Sequence, residues 1–432
     1  MHNTTASALL LLTACTNAEP APPDARILSW TGTVPAWVIL PSGTIEFKVT
    51  IGPEPGKVSI TNADETIEVP VVVDDGGTLT LRFDDYDSEI VCKPSDDSGR
   101  VLAGEWVKRR GAKGAENEFV RLPFHLNGRG FCGTTTIAQQ PGEQERAIAT
   151  LAANTRWSVR FADDEDPAVL QFSVLRTADG RPRQITRATF LTTTGDYRYL
   201  TPTIVGDTVT MACFDGAHAF LFTSRLLPDG TLKGDFASGP TYRTTWTATP
   251  DPDAKLPDAF SIARVVPGVD PSALRYPGLD GVERPLIQLA GKGEGPRAHI
   301  IEVFGTWCPN CRDATALLKE LHARYAGQGL EIVGLAFEVT GDRGRDLKQL
   351  GVYRERHGVA YAMLLGGTTD KAKAQEAFPV LDKVHAYPTF LFVDRAGVVR
   401  AVYAGFTGPA AEAEHAELKA RFVKIIESML AD

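Results

Sequence analysis

The C-terminal part of the chain alternates apolar runs with helix-like stretches. Residues 299–304 (HIIEVF) form an apolar run of the length usual for a buried strand, and Gly305-Thr306 interrupt it. Beyond this break, apolar side chains recur at helical spacing at Ala316, Leu317, Leu318, Leu321 and Tyr325. The pattern predicts a buried strand that turns directly into a helix.

A second strong strand pattern follows Pro388. Residues 389–394 (TFLFVD) are rich in strand-forming side chains, and residues 395–397 (RAG) form a turn signal. Because proline cannot donate to a sheet ladder, its place at the head of a strand indicates an edge or a special turn. A cis bond at this proline and a simple strand start both fit the pattern.

The pattern is different between about residues 27 and 248. Short alternating runs are separated by Gly, Asp and Pro, which is typical of antiparallel β structure, and helical periodicity is scarce. We predict strands at residues 44–51, 66–73, 78–83, 184–192, 208–213, 219–225 and 243–248. The N-terminal half is therefore predicted to be all-β.

A weak internal repeat lies within this half. Residues 77–84, followed by 99–106, resemble residues 206–215, followed by 230–236, with strand, turn and aromatic signals at similar spacing. The repeat predicts a duplicated β-unit that closes into one barrel or forms two stacked antiparallel sheets.

The length of 432 residues exceeds what one hydrophobic core usually serves. Residues 249–258 are rich in Pro and Asp and lack periodicity, so we place a domain boundary there. This gives a β-rich domain of unknown function at 27–250 and an α/β domain at 251–432. Residues 260–289 are expected to be an extension that adds a hairpin to the sheet of the second domain.

The N-terminus resembles a bacterial lipoprotein signal. Residues 9–12 are apolar, and residues 12–15 (LTAC) resemble the lipobox, in which the peptide is cut before the cysteine and the thiol is acylated. The apolar core is too short for a membrane span, which needs about 20 residues. We expect a signal peptide at 1–15, lipidation at Cys15 and a tether at 16–26. The alternative is a disordered tail with an ordinary cysteine.

Cys308 and Cys311 lie at the predicted strand-to-helix turn. A helix start carries unpaired N–H groups and partial positive charge, which favour a thiolate, so Cys308 is predicted to be the nucleophile. The C-x-x-C spacing also serves zinc sites and structural disulfides. No second C-x-x-C or C-x-x-H lies nearby to complete four zinc ligands, and we expect no metal.

Residues from about 270 to 432 resemble a thioredoxin-fold domain of the TlpA-like and ResA-like thiol-disulfide oxidoreductases. The resemblance is carried by residues 305–311 (GTWCPNC), by residues 329–338 (GLEIVGLAFE) and by residues 387–389 (YPT) with the hairpin after them. It implies an α/β thioredoxin-like domain without a cofactor. In this domain Cys308 would attack a substrate disulfide and Cys311 would resolve the mixed disulfide.

The resemblance also implies how substrate is held. Pro388 would be the cis-proline of the fold, packed against the cysteines. Backbone beside Tyr387 would pair with an extended substrate segment, with Trp307 and Thr389 also at the substrate-binding surface.

A proton acceptor for Cys311 is implied at Glu302. It lies six residues before Cys308, where thioredoxin-like proteins often carry a buried Asp or another polar side chain. An acidic residue on a partly exposed strand face is the alternative. TlpA-like relatives commonly carry Glu three residues after the second cysteine, whereas this chain has Ala314 there and Asp313 just before it.

The expected activity is disulfide exchange in the bacterial cell envelope, facing the periplasm, in the reducing direction. Substrates would be protein or small-thiol disulfides, a membrane thiol protein would donate electrons, and the N-terminal lipid would bind the membrane. The net charge is −9 and no long basic run occurs beyond residues 108–110, so nucleic acid is not an expected partner.

Two other functions fit the chain. The C-terminal half also resembles the redoxin and peroxiredoxin superfamily, which suggests a thiol peroxidase, although Pro-x-x-x-Thr-x-x-Cys is absent ahead of Cys308. The β-rich half could instead be a ligand- or partner-binding module that the redox domain regulates. Residues 214–220 mix aromatic and polar groups, and either line a ligand mouth or pack as a β-turn.

Three further cysteines lie in the β-rich half. In an oxidising compartment Cys92, Cys132 and Cys213 form one disulfide and leave one thiol free, or stay as small buried apolar residues. His125 and His218 are too far apart in sequence to indicate a metal site.

Overall fold

The computed structural model of the protein describes residues 31–52, 57–73, 77–97, 99–111, 114–116, 118–128, 142–289 and 295–431. The predicted signal peptide at 1–15 with Cys15, the tether at 16–26 and Cys132 lie outside the described residues. Within the described part of the chain, no helix is long and apolar enough to cross a membrane.

The first unit is a closed antiparallel barrel of eight strands in sequence order. Alternate side chains point inward along each strand, as the apolar and polar alternation predicts, and β1 closes the barrel by pairing with β8. The strands are β1 (Gly32–Leu40), β2 (Gly43–Ile51), β3 (Lys57–Asn62), β4 (Glu65–Val73), β5 (Leu79–Phe83), β6 (Ser88–Pro94), β7 (Val101–Arg109) and β8 (Phe119–Asn127).

The second unit is a nine-stranded antiparallel sheet preceded by helix α1 (Glu143–Ala153). A bridge between Ala188 and Leu200 joins opposite sides of the sheet, so the sheet curls around an aromatic core. The strands are β9 (Arg156–Phe161), β10 (Ala168–Arg176), β11 (Pro182–Thr192), β12 (Gly195–Asp196), β13 (Thr201–Val205), β14 (Thr208–Phe214), β15 (Ala219–Leu226), β16 (Leu232–Ser238) and β17 (Tyr242–Pro250).

The all-β prediction for the N-terminal half is confirmed, and each of the seven predicted strands is present. The two repeat units lie in different sheets, one in the barrel and one in the nine-stranded sheet. In both units a glycine lies against the backbone of the neighbouring strand. A Cβ added at Gly104 would lie 2.0 Å from the Val91 oxygen, and one added at Gly234 would lie 1.9 Å from the Thr223 oxygen. Only glycine lets the strands approach this closely.

Phe214 connects the two β-units. Its ring stacks on Phe47 at 4.8 Å and meets Trp106 edge-on at 5.3 Å, inside the hydrophobic core of the barrel. The side-chain amide of Asn62 donates to the Phe214 carbonyl at 2.8 Å, and the Phe214 N–H donates back at 3.0 Å. The second unit therefore contributes directly to the core of the first.

The third unit is α/β, with a five-stranded sheet in the order β22-β21-β20-β23-β24. The central strand β20 is buried along its whole length because helices cover both faces, and it pairs parallel with β21 and antiparallel with β23. The elements are β20 (Ala298–Phe304), α2 (Pro309–Tyr325), β21 (Leu330–Glu338), α3 (Arg343–His357), β22 (Ala362–Thr368), α4 (Lys371–Ala377), β23 (Thr389–Asp394), β24 (Val399–Ala404) and α5 (Glu412–Ala431).

The extension ahead of this unit differs from its prediction. It forms a hairpin of β18 (Arg275–Pro277) and β19 (Glu283–Pro285), but this hairpin is a separate two-stranded sheet. A single bridge between Gly278 and Leu364 connects it to β22. Proline at the end of each strand removes backbone donors, so the hairpin cannot extend the ladder.

Ion pairs and hydrogen bonds attach the β-units to the α/β unit. On the barrel side, Arg356 of α3 pairs with Asp84 at 3.3 Å. On the side of the nine-stranded sheet, Arg156 and Arg187 pair with Glu414 and Glu412 at the start of α5, at 2.6 and 2.8 Å. The α/β unit is thus held at both ends against the N-terminal half.

Candidate active site

Cys308 and Cys311 lie at the start of α2, where the strand-to-helix pattern predicts them. Cys308 is the N-cap residue and Cys311 is in the first turn, with the Cys311 N–H donating to the Cys308 sulfur at 3.3 Å. Both are free thiols. Cys308 is 7% exposed and Cys311 is fully buried, so only the first sulfur is open to attack from outside.

The Cys308 sulfur also contacts the loop that precedes β23. Its thiol donates to the Tyr387 carbonyl at 3.4 Å, and the Tyr387–Pro388 bond is cis, as the resemblance implies. The Trp307 ring meets the Tyr387 ring edge-on at 5.4 Å, and its indole N–H donates to the Phe337 carbonyl at 2.8 Å. Two residues predicted to contact substrate therefore lie beside the sulfur.

Thr389, the third residue predicted to contact substrate, is differently placed. Its side chain is fully buried, and its hydroxyl donates to the Ala386 carbonyl at 2.8 Å. A hydroxyl used in this way holds the loop rather than facing an incoming molecule.

Glu302 lies on β20 behind the cysteines and is fully buried, so the alternative of a partly exposed strand face is wrong. Neither carboxyl oxygen has a hydrogen-bond partner among the described residues. Burial, and then the charge of Cys308, raise the pKa of Glu302 well above its usual value. Burial likewise raises the pKa of Cys311, with further contributions from Cys308 and Glu302. A buried carboxyl with a raised pKa becomes, once it is ionised, a base strong enough to accept the proton of a neighbouring thiol.

Glu338, at the end of β21, is a second buried carboxyl that our sequence interpretation gave no role. It accepts from the backbone N–H of Thr306 at 3.0 Å and from the Thr306 hydroxyl at 2.9 Å. It therefore holds the loop that leads into Cys308. Its position, at the carboxyl end of the strand next to β20, is the signal that could have identified it.

Glu338 makes stability depend on pH. Burial raises its pKa from the usual 4.5 to about 8, so the unfolded chain releases this proton at a pH where the folded protein keeps it. Its contribution to stability is therefore full below about pH 4.5 and is lost as the pH rises to about 8. We expect Glu338→Gln to remove this loss, which is at most about 1.4 kcal/mol per pH unit.

Urea unfolding of the wild type and the Glu338→Gln variant, measured from pH 5 to about 8.5, checks this expectation. The matched control is Glu145→Gln, an exposed carboxylate in the first turn of α1. Wild-type and Glu338→Gln curves that run parallel over the whole pH range would contradict it.

A cavity of about 670 Å³ opens in front of Cys308, and all three units line it. The barrel contributes Trp106 and Lys108, and the nine-stranded sheet contributes side chains on β12, β15 and β16 with their turns. Ala217, His218, Ala219 and Phe220 line the wall, so the predicted ligand-mouth segment 214–220 is split: Phe214 lies in the barrel core and only residues 217–220 face the cavity. The sequence offered no means of finding Lys108, because its contact with this cavity depends on the packing of separate units.

The turn between β11 and β12 lies directly on the dithiol unit. The Asn310 side-chain amide, between the two cysteines, donates to the Asp196 carbonyl at 3.1 Å, and the Gly408 N–H donates to the Asp196 carboxylate. A Cβ added at Gly405 would lie 2.9 Å from the carbonyl carbon of Thr194, which explains the glycine there. The Gly405 N–H donates to the Pro388 carbonyl at 2.9 Å, so this turn covers one side of the cis-proline loop.

A buried charge network joins the same three units. The Arg198 guanidinium pairs with Asp313 of α2 at 2.6 Å, with Asp215 at 3.5 Å and with Glu65 of the barrel. Arg312 of α2 also pairs with Glu65 at 2.9 Å. Burial opposes the charge of Arg198, but Asp313 and Glu65 outweigh it and raise the pKa of Arg198 well above its usual value. The helix that carries the cysteines is therefore anchored to the β-rich half.

Cys92 and Cys213 are both buried free thiols, which corresponds to the second alternative for them, small buried apolar residues. The described residues contain no group of three or more His, Cys, Asp or Glu side chains that could hold a metal ion.

Solved structures with some likeness to this chain include three described as thiol-disulfide proteins. A thioredoxin-family thiol:disulfide interchange protein from Chlorobium tepidum is 22% identical, with 39% of this chain and 99% of that chain covered and a TM-score of 0.28. A thiol-disulfide oxidoreductase from Bacteroides fragilis is 16% identical, with 34% and 96% covered and a TM-score of 0.25. A secreted disulfide oxidoreductase from Mycobacterium tuberculosis is 14% identical, with 34% and 95% covered and a TM-score of 0.24.

Comparison with curated proteins finds no match. Residues 279–402 match the model of the AhpC/TSA family. The matched segment runs from the β18–β19 hairpin into β24 and includes the dithiol and the cis-proline. The C-terminal region of this protein is thus an AhpC/TSA family domain with a thioredoxin-like fold, and the protein is an oxidoreductase.

Proposed function

We propose that this protein is a thiol-disulfide oxidoreductase of the bacterial cell envelope that acts as a reductant through Cys308 and Cys311. The observation that carries the proposal is the pairing of a partly open sulfur at a helix start with a fully buried one in the first turn of that helix, both beside the cis-proline loop. One thiol is placed to meet a substrate and the other to meet only its neighbour.

The exchange proceeds in two steps, which together transfer two electrons. The Cys308 thiolate attacks one sulfur of a substrate disulfide, which breaks the S–S bond and releases the first substrate thiolate. Cys311 then loses its proton and attacks the Cys308 sulfur, which releases the second substrate thiolate and leaves a Cys308–Cys311 disulfide. Two electrons pass from the protein to the substrate, and a thiol donor must return them.

Two features of the site support these steps. Glu302 lies behind the cysteines with both oxygens unpartnered, and its carboxylate, once ionised, is proposed to take the proton of Cys311. Pro388 and Tyr387 are proposed to hold the substrate beside Cys308, since the Tyr387 carbonyl already contacts its sulfur. The proposed subgroup for this protein is that of the TlpA-like and ResA-like oxidoreductases. The motifs at 305–311 and 387–389 support this placement.

The proposed location is the envelope, facing the periplasm, with the protein anchored by a lipid on Cys15. The lipobox-like residues 12–15 support this. A membrane thiol protein is the proposed electron donor.

A Cys311→Ala variant tests the exchange mechanism. With the resolving thiol removed, the reaction should stop at the mixed disulfide, so hydroxyethyl disulfide should leave one stable hydroxyethylthio group on Cys308. Intact-mass and peptide mass spectrometry before and after dithiothreitol measure the adduct. Wild-type protein treated in parallel should instead form the Cys308–Cys311 disulfide without an adduct. An adduct on another cysteine, or none, would refute the assignment.

A thiol peroxidase is the second candidate, and the AhpC/TSA match of residues 279–402 favours it. In that reaction Cys308 alone would reduce peroxide, and it would be oxidised to a sulfenic acid. Catalytic peroxide consumption with dithiothreitol as reductant that persists in Cys311→Ala, together with no adduct from the disulfide, would favour the peroxidase.

A further inference from the structure

The cavity in front of Cys308 has the dimensions of a small-molecule site. Its volume of about 670 Å³ lies within the roughly 300–1,000 Å³ usual for ligand pockets. Aromatic rings form much of its wall, with Phe220, Phe236 and Tyr242 from the nine-stranded sheet and Trp307 from the dithiol loop. An organic molecule entering it would meet apolar surface on one side and the Cys308 sulfur on the other.

Lys108, on barrel strand β7, places a positive charge in this wall. Its ammonium group donates to the Ala217 carbonyl at 2.6 Å, and the side chain is only partly exposed. Within the described residues it forms no ion pair with a carboxylate. Asp215, whose charge acts on it, instead contacts His218 and Arg198. An ammonium has three donors, so this one has donors left for a ligand.

The other charged groups of the wall do not neutralise Lys108. Arg109 forms ion pairs with Asp87 and Glu118. Asp196 is buried and its two oxygens accept from the N–H groups of Arg198 and Gly408.

The protonation states of the wall residues at neutral pH also leave the cavity wall positively charged. Burial lowers the pKa of Lys108 to about 8, so it stays mostly protonated at pH 7. Burial lowers the pKa of His218 below its usual value, so the imidazole is mostly neutral there. Arg110 is a further cation at the exposed edge. Burial raises the pKa of Asp196 only to about 6, so it is mostly ionised at pH 7, but Lys108 and Arg110 together outweigh this single negative charge. The wall that faces Cys308 therefore carries net positive charge.

The path along the cis-proline loop is restricted for a large substrate. The turn at residues 193–196 contacts Asn310, Gly405 and Gly408, on one side of the loop that carries Pro388. A folded protein would have to displace this turn to lie across the loop, whereas a small disulfide fits inside the cavity. The position of the β-rich half thus favours a small substrate.

Building on the exchange reaction proposed above, we propose that this cavity binds a low-molecular-weight disulfide that carries an anionic group such as a carboxylate, and that Lys108 is the residue that recognises this group. The carboxylate pairs with the ammonium while the disulfide faces Cys308. The β-rich half thereby supplies the specificity of the α/β domain.

Three small disulfides of different charge test the proposal: dithiodiglycolate, hydroxyethyl disulfide and cystamine, which are anionic, neutral and cationic. The second-order rate constant for oxidation of the reduced full-length protein is measured by stopped-flow tryptophan fluorescence and checked by counting the thiols lost. Comparing ratios between variants cancels the intrinsic reactivity of each probe. We expect Lys108→Gln to lower the dithiodiglycolate-to-cystamine ratio about tenfold relative to wild type.

The matched controls are Lys108→Arg, which keeps the charge, and Lys48→Gln, which removes an exposed lysine from barrel strand β2. Both should keep a ratio close to that of wild type. Wild-type protein alone supplies a second measurement if the variant fails to fold. The dithiodiglycolate-to-hydroxyethyl disulfide ratio should fall as salt rises towards about 1 M, where the screening length is about 3 Å.

The outcomes separate this inference from the function on which it rests. Reaction with all three probes, with a ratio that neither Lys108→Gln nor salt changes, would overturn the anionic-substrate inference and leave the exchange activity standing. Reaction with none of them, including the neutral probe, would overturn both.

Discussion

Replacing Cys308 with alanine is expected to lower the rate of hydroxyethyl disulfide reduction by at least about a thousandfold. The reason is that Cys308 holds the only sulfur of the pair with exposed surface, whereas Cys311 is fully buried and burial raises its pKa. A buried thiol with a raised pKa provides little thiolate to attack a disulfide. Product thiol released in a single turnover of reduced protein measures the loss.

Cys92→Ala is the matched control for this loss. Cys92 is a buried free thiol in the barrel core, and burial raises its pKa to about 12. It should therefore be inert, and its removal should leave the rate within about twofold of wild type. A Cys308→Ala variant that keeps a tenth or more of the wild-type rate would show that another thiol initiates the exchange.

Replacing Arg198 with methionine is expected to lower the free energy of unfolding by about 3–5 kcal/mol. The substitution keeps a long side chain but removes the cation that pairs with Glu65, Asp215 and Asp313. Asp215 is fully buried, so its charge would remain in the interior without this partner. Urea unfolding followed by circular dichroism measures the change.

Because Asp313 belongs to α2, the same substitution should also disturb the dithiol. We expect Arg198→Met to change the contribution of Trp307 to the tryptophan fluorescence of the folded protein, since the helix that follows this residue loses one of its anchors to the β-rich half. The control is Arg225→Met, which removes an exposed arginine paired with Asp207 and should leave both stability and fluorescence nearly unchanged. An Arg198→Met variant as stable as the Arg225→Met variant would contradict the role of the network.

Local patterns in the sequence predicted the elements of this fold but not the way in which they meet. The alternation at 44–51 and the other six runs indicated the strands, because one buried face per strand requires a period of two. The apolar run at 299–304 indicated the central strand β20 for a similar reason. Helix α1, by contrast, was not predicted, and the hairpin at 275–285 was expected in the main sheet.

Only part of the candidate site was likewise identified from the sequence. Cys308 and Cys311 were found from spacing and context because their neighbours in sequence are also their neighbours in space, whereas the role of Pro388 was implied by the family resemblance. Glu338 and Lys108 were not assigned a role, since Glu338 acts through a loop on a different strand and Lys108 reaches the cavity from another unit. The sequence does not show which partner tertiary packing will bring to a polar side chain.

By itself, the sequence determined that the chain has a β-rich half and an α/β half with a dithiol at a helix start, because periodicity and motif spacing are local properties. Only the tertiary structure decided that the β-rich half closes over the dithiol. That arrangement depends on contacts between residues more than a hundred positions apart, such as Arg198 with Asp313 and Asn310 with Asp196. Such contacts form only when separate cores pack against one another, and no periodic pattern encodes them.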